Sequence, residues 1–190
     1  MIRKLLVSTI LLIAVLPINS WAISNVTYDL SGYAHGWSIS NFWSSGNVTG
    51  AWDGASLSNI SGSLTGNNGS VSITGGSLLA NGAGSLDLSI NRYNSTYTGT
   101  ISFHDSGYFG GAYDNSVTEN SLNLWGGSWL NKTWTSPYSG NSYNFGNWWV
   151  GLDLNGSGIS TATVPEPTTL ALLGLGMLGL GFGRKKKDLI

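Results

Sequence analysis

The sequence predicts an all-β domain, an antiparallel meander forming a sandwich or an up-and-down barrel. Three observations lead there. Apolar and polar residues alternate in short runs between residues 23 and 163, the period of a strand with one buried face. Glycine, 28 of 190 residues, is scattered too densely for a helix of ordinary length. Asn-Gly and Gly-Gly pairs fall between or beside the alternating runs, where residues that tolerate positive φ make tight hairpins.

Taken in chain order, the first segment is an export signal. Arg3 and Lys4 precede an apolar run from Leu5 to Leu16, and Ser20-Trp21-Ala22 supplies a small-x-small cleavage site, so residues 1–22 read as a secretory signal peptide cut after Ala22 by signal peptidase. A helix over those twelve residues reaches about 18 Å, short of a hydrocarbon core of about 30 Å. That length argues against a retained anchor.

The strands follow. Val71 and Ile73 alternate with Ser70, Ser72 and Thr74; Leu86, Leu88 and Ile90 alternate with Ser85, Asp87 and Ser89; Tyr97, Ile101 and Phe103 share a parity with Gly99. Leu122 and Leu124 flank Asn123, and Val150, Leu152 and Leu154 flank Gly151 and Asp153. Each run offers one apolar face and one polar face, as a half-buried antiparallel sheet requires. Asn68-Gly69, Asn81-Gly82 and Asn155-Gly156 are the expected two-residue turns, with Gly-Gly pairs at 75–76, 110–111 and 126–127 as further breaks. About 140 residues suffice for one core, so residues 23–163 are expected to form one secreted β-domain.

Charge and composition exclude several classes. From Ile23 to Thr163 the basic residues are Arg92 and Lys132, against Asp29, Asp53, Asp87, Asp105, Asp114, Glu119 and Asp153, two against seven, a net of -5. No basic patch is available for nucleic acid. The chain has no cysteine, so it has neither disulfides nor thiolate ligands.

The end of the chain carries three features in order. Val164-Pro165-Glu166-Pro167 keeps the backbone extended, an apolar and glycine-rich span covers about residues 168–183, and Arg184, Lys185, Lys186 and Lys187 form a basic cluster. As a helix the span would measure about 24 Å, a marginal membrane crossing. Four cations beside it resist translocation and hold that end on the cytoplasmic side. The order of box, span and basic cluster resembles the PEP-CTERM sorting signal of Gram-negative bacteria. That resemblance implies a transient inner-membrane intermediate, cleavage at or near the Pro-Glu-Pro box by an exosortase-type enzyme, and release to the cell surface or extracellular matrix. It makes Val164 to Pro167 recognised residues, not catalytic ones, and residues 164–190 a sorting tail. A plain single-pass anchor is the competing reading of the same span.

Residues for chemistry in the exported domain are sparse. His104, Asp105 and Ser106 contain the residue types of a hydrolytic triad, but neighbours on an extended chain point to opposite faces. Asp53, Asp87, Asp105 and Asp114 are the carboxylates from which a glycoside-cleaving pair could be drawn. Asp153, Asn155 and Ser157, with Gly158 after them, imitate the start of a calcium loop, yet Val164 stands where the bidentate carboxylate is needed, so no metal site and no cofactor is expected. Tryptophan is the more informative excess. Trp125, Trp129, Trp134, Trp148 and Trp149 lie among Asn, Ser and Gly, the mixture of flat apolar rings and hydrogen-bonding groups that stacks sugars. The competing assignment is the core, where tryptophan is usually found. Adjacent Trp148 and Trp149 must face opposite ways if extended. The expectation is a non-enzymatic envelope or matrix protein, sorted through its tail and touching extracellular polysaccharide; the alternative is a secreted polysaccharide hydrolase.

Overall fold

The computed structural model describes residues 23–105 and 114–162, and every regular element among them is a β-strand. In chain order these are β1 (Ser24–Gly36), β2 (Phe42–Trp52), β3 (Ser56–Gly66), β4 (Gly69–Leu79), β5 (Gly84–Arg92), β6 (Ser95–Phe103), the two-residue β7 (Ser116–Val117), β8 (Ser121–Thr135) and β9 (Ser142–Ala162). The pairings are antiparallel in the order β6-β5-β4-β3-β2-β1-β9-β8-β7. β6 also pairs with β8, Thr98 opposite Asn131 and Phe103 opposite Gly126, which closes the sheet on itself with the connectivity of an up-and-down barrel. Between those two points the Ser102 N–H donates to Ser128 Oγ at 3.1 Å, a side chain standing in for a backbone acceptor along the seam. Residues 1–22, the box at 164–167, the span at 168–183 and the cluster at 184–187 lie outside the described residues.

Alternation decides which face is inside. In β1, Val26, Tyr28, Leu30 and Ala34 are buried while Asn25, Thr27, Asp29 and Ser31 are exposed. Leu64, Val71, Leu86, Ile90, Ile101, Leu124 and Leu152 continue the same interior from the other strands. The core is therefore mainly aliphatic, with Tyr28, Phe42, Trp52, Tyr97 and Phe103 among its aromatic members. Trp52 is the one tryptophan among the described residues that is buried in it, and Trp148 packs against its edge.

The turn signals were only partly turns. Asn68, at φ 61°, and Gly82, at φ 81°, sit in the β3–β4 and β4–β5 connections. Asn155-Gly156 instead runs through the middle of β9, Gly156 opposite Leu30 and Leu122. A Cβ at Gly156 would lie 2.0 Å from Asp29 O, so this glycine serves close strand approach and not reversal. Gly75 and Gly76 lie beside a register shift in β4, Gly126 and Gly127 lie within β8, and the pair at 110–111 falls outside the described residues.

With no disulfide, the ends of the barrel are fastened by side chains. Arg92, at the end of β5, is buried and donates to Ser40 O at 3.1 Å, to Asn41 O at 3.4 Å and to Asn67 O, while its guanidinium lies over Phe42 and Tyr93. One cation thus ties the β1–β2, β3–β4 and β5–β6 connections together. Lys132 is at the same end, its Nζ 5.3 Å from the Trp148 ring centre and 5.6 Å from that of Tyr97, distances at which the ring quadrupoles attract an ammonium. At the other end the buried Tyr28 hydroxyl donates to Thr118 O at 2.7 Å. Burial, assisted by the Glu119 carboxylate, pushes its pKa up to about 12.

Replacing Arg92 by Met should keep the apolar stem but leave three loop carbonyls without their donor. Urea unfolding of the signal-free protein should then show a loss of about 2–3 kcal/mol. Arg92→Lys should recover little of it, because an ammonium lacks the planar fork that reaches three acceptors at once.

Candidate functional site

Where β2, β1, β9 and β8 run side by side, their outward residues assemble an aromatic face. Register sets its first row: Trp43 is opposite Tyr33, Tyr33 is opposite Asp153, and Asp153 is opposite Trp125. His35 lies opposite Gly151, itself opposite Gly127, and Trp129 lies opposite Trp149. The two glycines make room for the rings. A Cβ on Gly151 would stand 2.3 Å from His35 Cε1, and one on Gly127 would stand 2.7 Å from Trp149 Cζ2, so an imidazole and an indole lie flat over bare backbone.

Ring contacts run continuously across the first strands. Tyr33 is 4.6 Å from Trp43 and 5.5 Å from His35, and His35 is 5.6 Å from Trp149. Trp37, just past β1, meets Trp129 edge-on at 6.0 Å. Despite these contacts Trp37, Trp43 and Trp129 remain 79%, 68% and 59% exposed. Three indoles that open to solvent are far from the usual place of tryptophan.

Beside the first row is a cavity of about 310 Å³, lined by Ser31, Trp43, Asp114, Asn115, Asn123, Trp125, Asp153 and Asn155. Asn115 is buried and positions Trp125 from both sides of the peptide: its Oδ1 accepts the Trp125 N–H at 2.6 Å and its Nδ2 donates to Trp125 O at 3.0 Å. Asn155 Nδ2 donates to Asn123 Oδ1 at 3.1 Å, and Asn123 Nδ2 to Asp114 O at 2.9 Å. These amides fix the polar wall.

Asp153 is the electrostatic feature of the face. Its Oδ1 is buried and accepts no hydrogen bond among the described residues, and His35 Nε2 is 3.7 Å away, beyond hydrogen-bond reach. Burial raises the Asp153 pKa above the ordinary carboxylate value, and the nearby His35 opposes that rise. A buried acceptor without a donor is costly, and the residue that carries it also lines the cavity.

The expected residues divide. Trp125, Trp129 and Trp149 come together on this face. Trp148 points the other way, against the core, with its Nε1 donating to Phe145 O at 3.2 Å, as opposite facing of neighbours requires. Trp134 stands apart beside Tyr143, at 6.0 Å. Asp153, Asn155 and Ser157 do not converge: they occupy alternate positions of extended β9, about 7 Å apart, and Asn155 is engaged by Asn123. Asp53 caps the β2–β3 turn, accepting N–H bonds from Ala55 and Ser56 that lower its pKa, and Asp87 accepts from Thr100 Oγ1. His104 and Asp105 are exposed, and Ser106 lies outside the described residues. Sequence reasoning did not select Tyr33, His35, Trp37 and Trp43. For Tyr33 and His35 the signal was present in the strand parity of Tyr33-Ala34-His35, but only the β1–β9 pairing reveals that they share a face with β8.

The folded chain holds the Asp153 proton more tightly than the unfolded chain, so stability falls as pH rises from 3.8 through the raised folded value. Asp53 and Glu119, both lowered, act in the opposite sense, and their contribution is lost as pH falls through their folded values. Asp153→Asn should raise the thermal midpoint by a few degrees at neutral pH. That gain should disappear in acid where Asp153 is already protonated, as thermal scans by circular dichroism can check.

No curated protein and no solved structure matches the chain. One family model does: residues 163–187 match the PEP-CTERM protein-sorting motif, and so the chain carries that sorting motif as its C-terminal tail.

Proposed function

We propose that the chain is an exported envelope or extracellular-matrix protein, delivered through its sorting tail, whose outward aromatic face contacts polysaccharide. In this reading signal peptidase removes residues 1–22, and the apolar span at about 168–183 halts in the inner membrane with Arg184 to Lys187 on the cytoplasmic side. An exosortase-type enzyme then acts on Val164 to Pro167 and frees residues 23–163 together with whatever part of the box it leaves attached. The chain is the substrate in that reaction.

The observation that carries the glycan reading is the exposure of Trp37, Trp43 and Trp129 on one outward face beside a groove walled by Asn123, Asn155 and Asp153. The apolar face of a sugar ring stacks on an indole, and its hydroxyls meet amides and carboxylates. A core that is built without those three rings supports the same reading.

A hydrolase is the second reading, favoured by one observation: Asp114 and Asp153 both line the groove, and Asp153 holds its proton above the ordinary range, as a general acid must. Release of reducing ends from polysaccharide, lost in Asp153→Asn and Asp114→Asn while binding persists, would establish it. Binding without any release favours the contact role.

Intact-mass measurement of protein recovered from the host's medium should show loss of residues 1–22 and of the segment beyond the Pro-Glu-Pro box. Replacing Arg184 to Lys187 by neutral residues should leave unprocessed chain in the membrane fraction or misoriented. For the face itself, Trp129→Ala should weaken polysaccharide binding by about 1 kcal/mol, roughly fivefold, with the unfolding midpoint nearly unchanged because Trp129 is mostly exposed. Trp134→Ala should leave affinity as it was.

A further inference from the structure

We propose that the groove between Trp43 and Trp125 takes uncharged sugar rings and rejects anionic ones, with the Asp153 and Asp114 carboxylates as the selecting groups. This deepens the glycan-contact reading and rests on it. The cavity, about 310 Å³, is at the lower end of ligand pockets, which span about 300–1,000 Å³, a size for one or two sugar rings and not for a folded partner. Its polar side chains are two carboxylates, Asp153 and Asp114, with the amides of Asn115, Asn123 and Asn155 and the hydroxyl of Ser31. A sugar hydroxyl donates, and the Asp153 and Asp114 carboxylates that line the groove accept.

Charge makes the same choice. A uronate or sulfate group entering this groove meets two carboxylates, and among the described residues no Lys or Arg lines it. The cations of the described residues are occupied at the barrel end, Arg92 by loop carbonyls and Lys132 over aromatic rings. His35 is the nearest group able to carry positive charge, and it faces the Asp153 oxygen. The domain's net charge of -5 adds a weaker repulsion that salt screens.

The test uses the full-length chain in a sugar-free zwitterionic detergent, titrated at neutral pH while tryptophan fluorescence is followed. The probes are neutral hexasaccharides of glucose, galactose and mannose, each paired with its counterpart oxidised to a uronate at C6. At low salt at least one neutral member should bind about tenfold or more tightly than its oxidised counterpart, and the gap should narrow at about 0.5 M salt. The Asp153→Asn/Asp114→Asn double variant, checked for an unchanged near-ultraviolet spectrum, should narrow the gap at low salt by strengthening uronate binding. If it loses the native spectrum, each single variant is titrated in its place, and each should narrow the gap in part. Equal or tighter binding of the uronates by the parent chain, or a gap unmoved in the folded variants, overturns this inference and leaves glycan contact standing. Absence of binding by every probe, neutral and oxidised, overturns the glycan-contact reading itself.

Discussion

The antiparallel pairing of β1 with β9 runs from Ser24 opposite Ala162 to Gly36 opposite Val150, and the closed sheet depends on it. Without this ladder two long edges would lie open, each a template for pairing with another chain. With it, the first and last strands of the domain become neighbours. The same ladder sets His35 on Gly151 and Tyr33 beside Asp153, so the aromatic face exists only in the closed sheet. A ring closed between residues more than a hundred positions apart is slow to form, because the loop entropy precedes the reward. It also waits for the chain to be nearly finished: β9 ends at Ala162, and the sorting motif begins at residue 163. Closure therefore requires that almost the whole exported segment has crossed.

Once closed, the domain has few other fastenings. It lacks cysteine, and its interior is apolar and mainly aliphatic, so burial supplies the main driving force while single polar side chains secure the ends. Arg92 and Tyr28 do so at opposite ends of the barrel, and Ser128 mends the seam against β6. The consequence for the surface is freedom. Tryptophan that the core does not need can be displayed, and the outward parity of β1, β2, β8 and β9 displays it on one side.

How much of this was legible in the sequence follows from the range of each interaction. Alternation along β4, β5, β6, β8 and β9 could be read directly, because burial of every second residue is a local pattern. Val26, Tyr28 and Leu30 carry the same pattern in β1. Asn155-Gly156 misled because a glycine that admits a neighbouring strand looks the same in sequence as one that turns the chain. The facing of Trp148 and Trp149 followed from strand geometry alone, whereas the union of Trp43 with Trp125 did not. Two strands that each hold an aromatic residue say nothing about being neighbours, whereas the even position of Trp134 in β8 already set it on the other parity from Trp125 and Trp129. The sorting tail was legible for the opposite reason: its box, span and cluster are contiguous and need no tertiary structure to be read.

Since the closed sheet brings the two ends of the domain together, a direct measurement is a cross-link between β1 and β9. The chain has no cysteine of its own, so Asp29→Cys with Ser157→Cys introduces a single pair. The two positions are register partners on the outward side, and cross-strand partners lie about 4.5–5.5 Å apart, within disulfide range. Mild oxidation of the folded protein should join them quantitatively, read as a mass loss of two hydrogens and a faster-migrating band, while the out-of-register pair Asp29→Cys with Thr161→Cys should stay reduced. Failure of the in-register pair to close, or equal closure of both pairs, would contradict the ring and the aromatic face built on it.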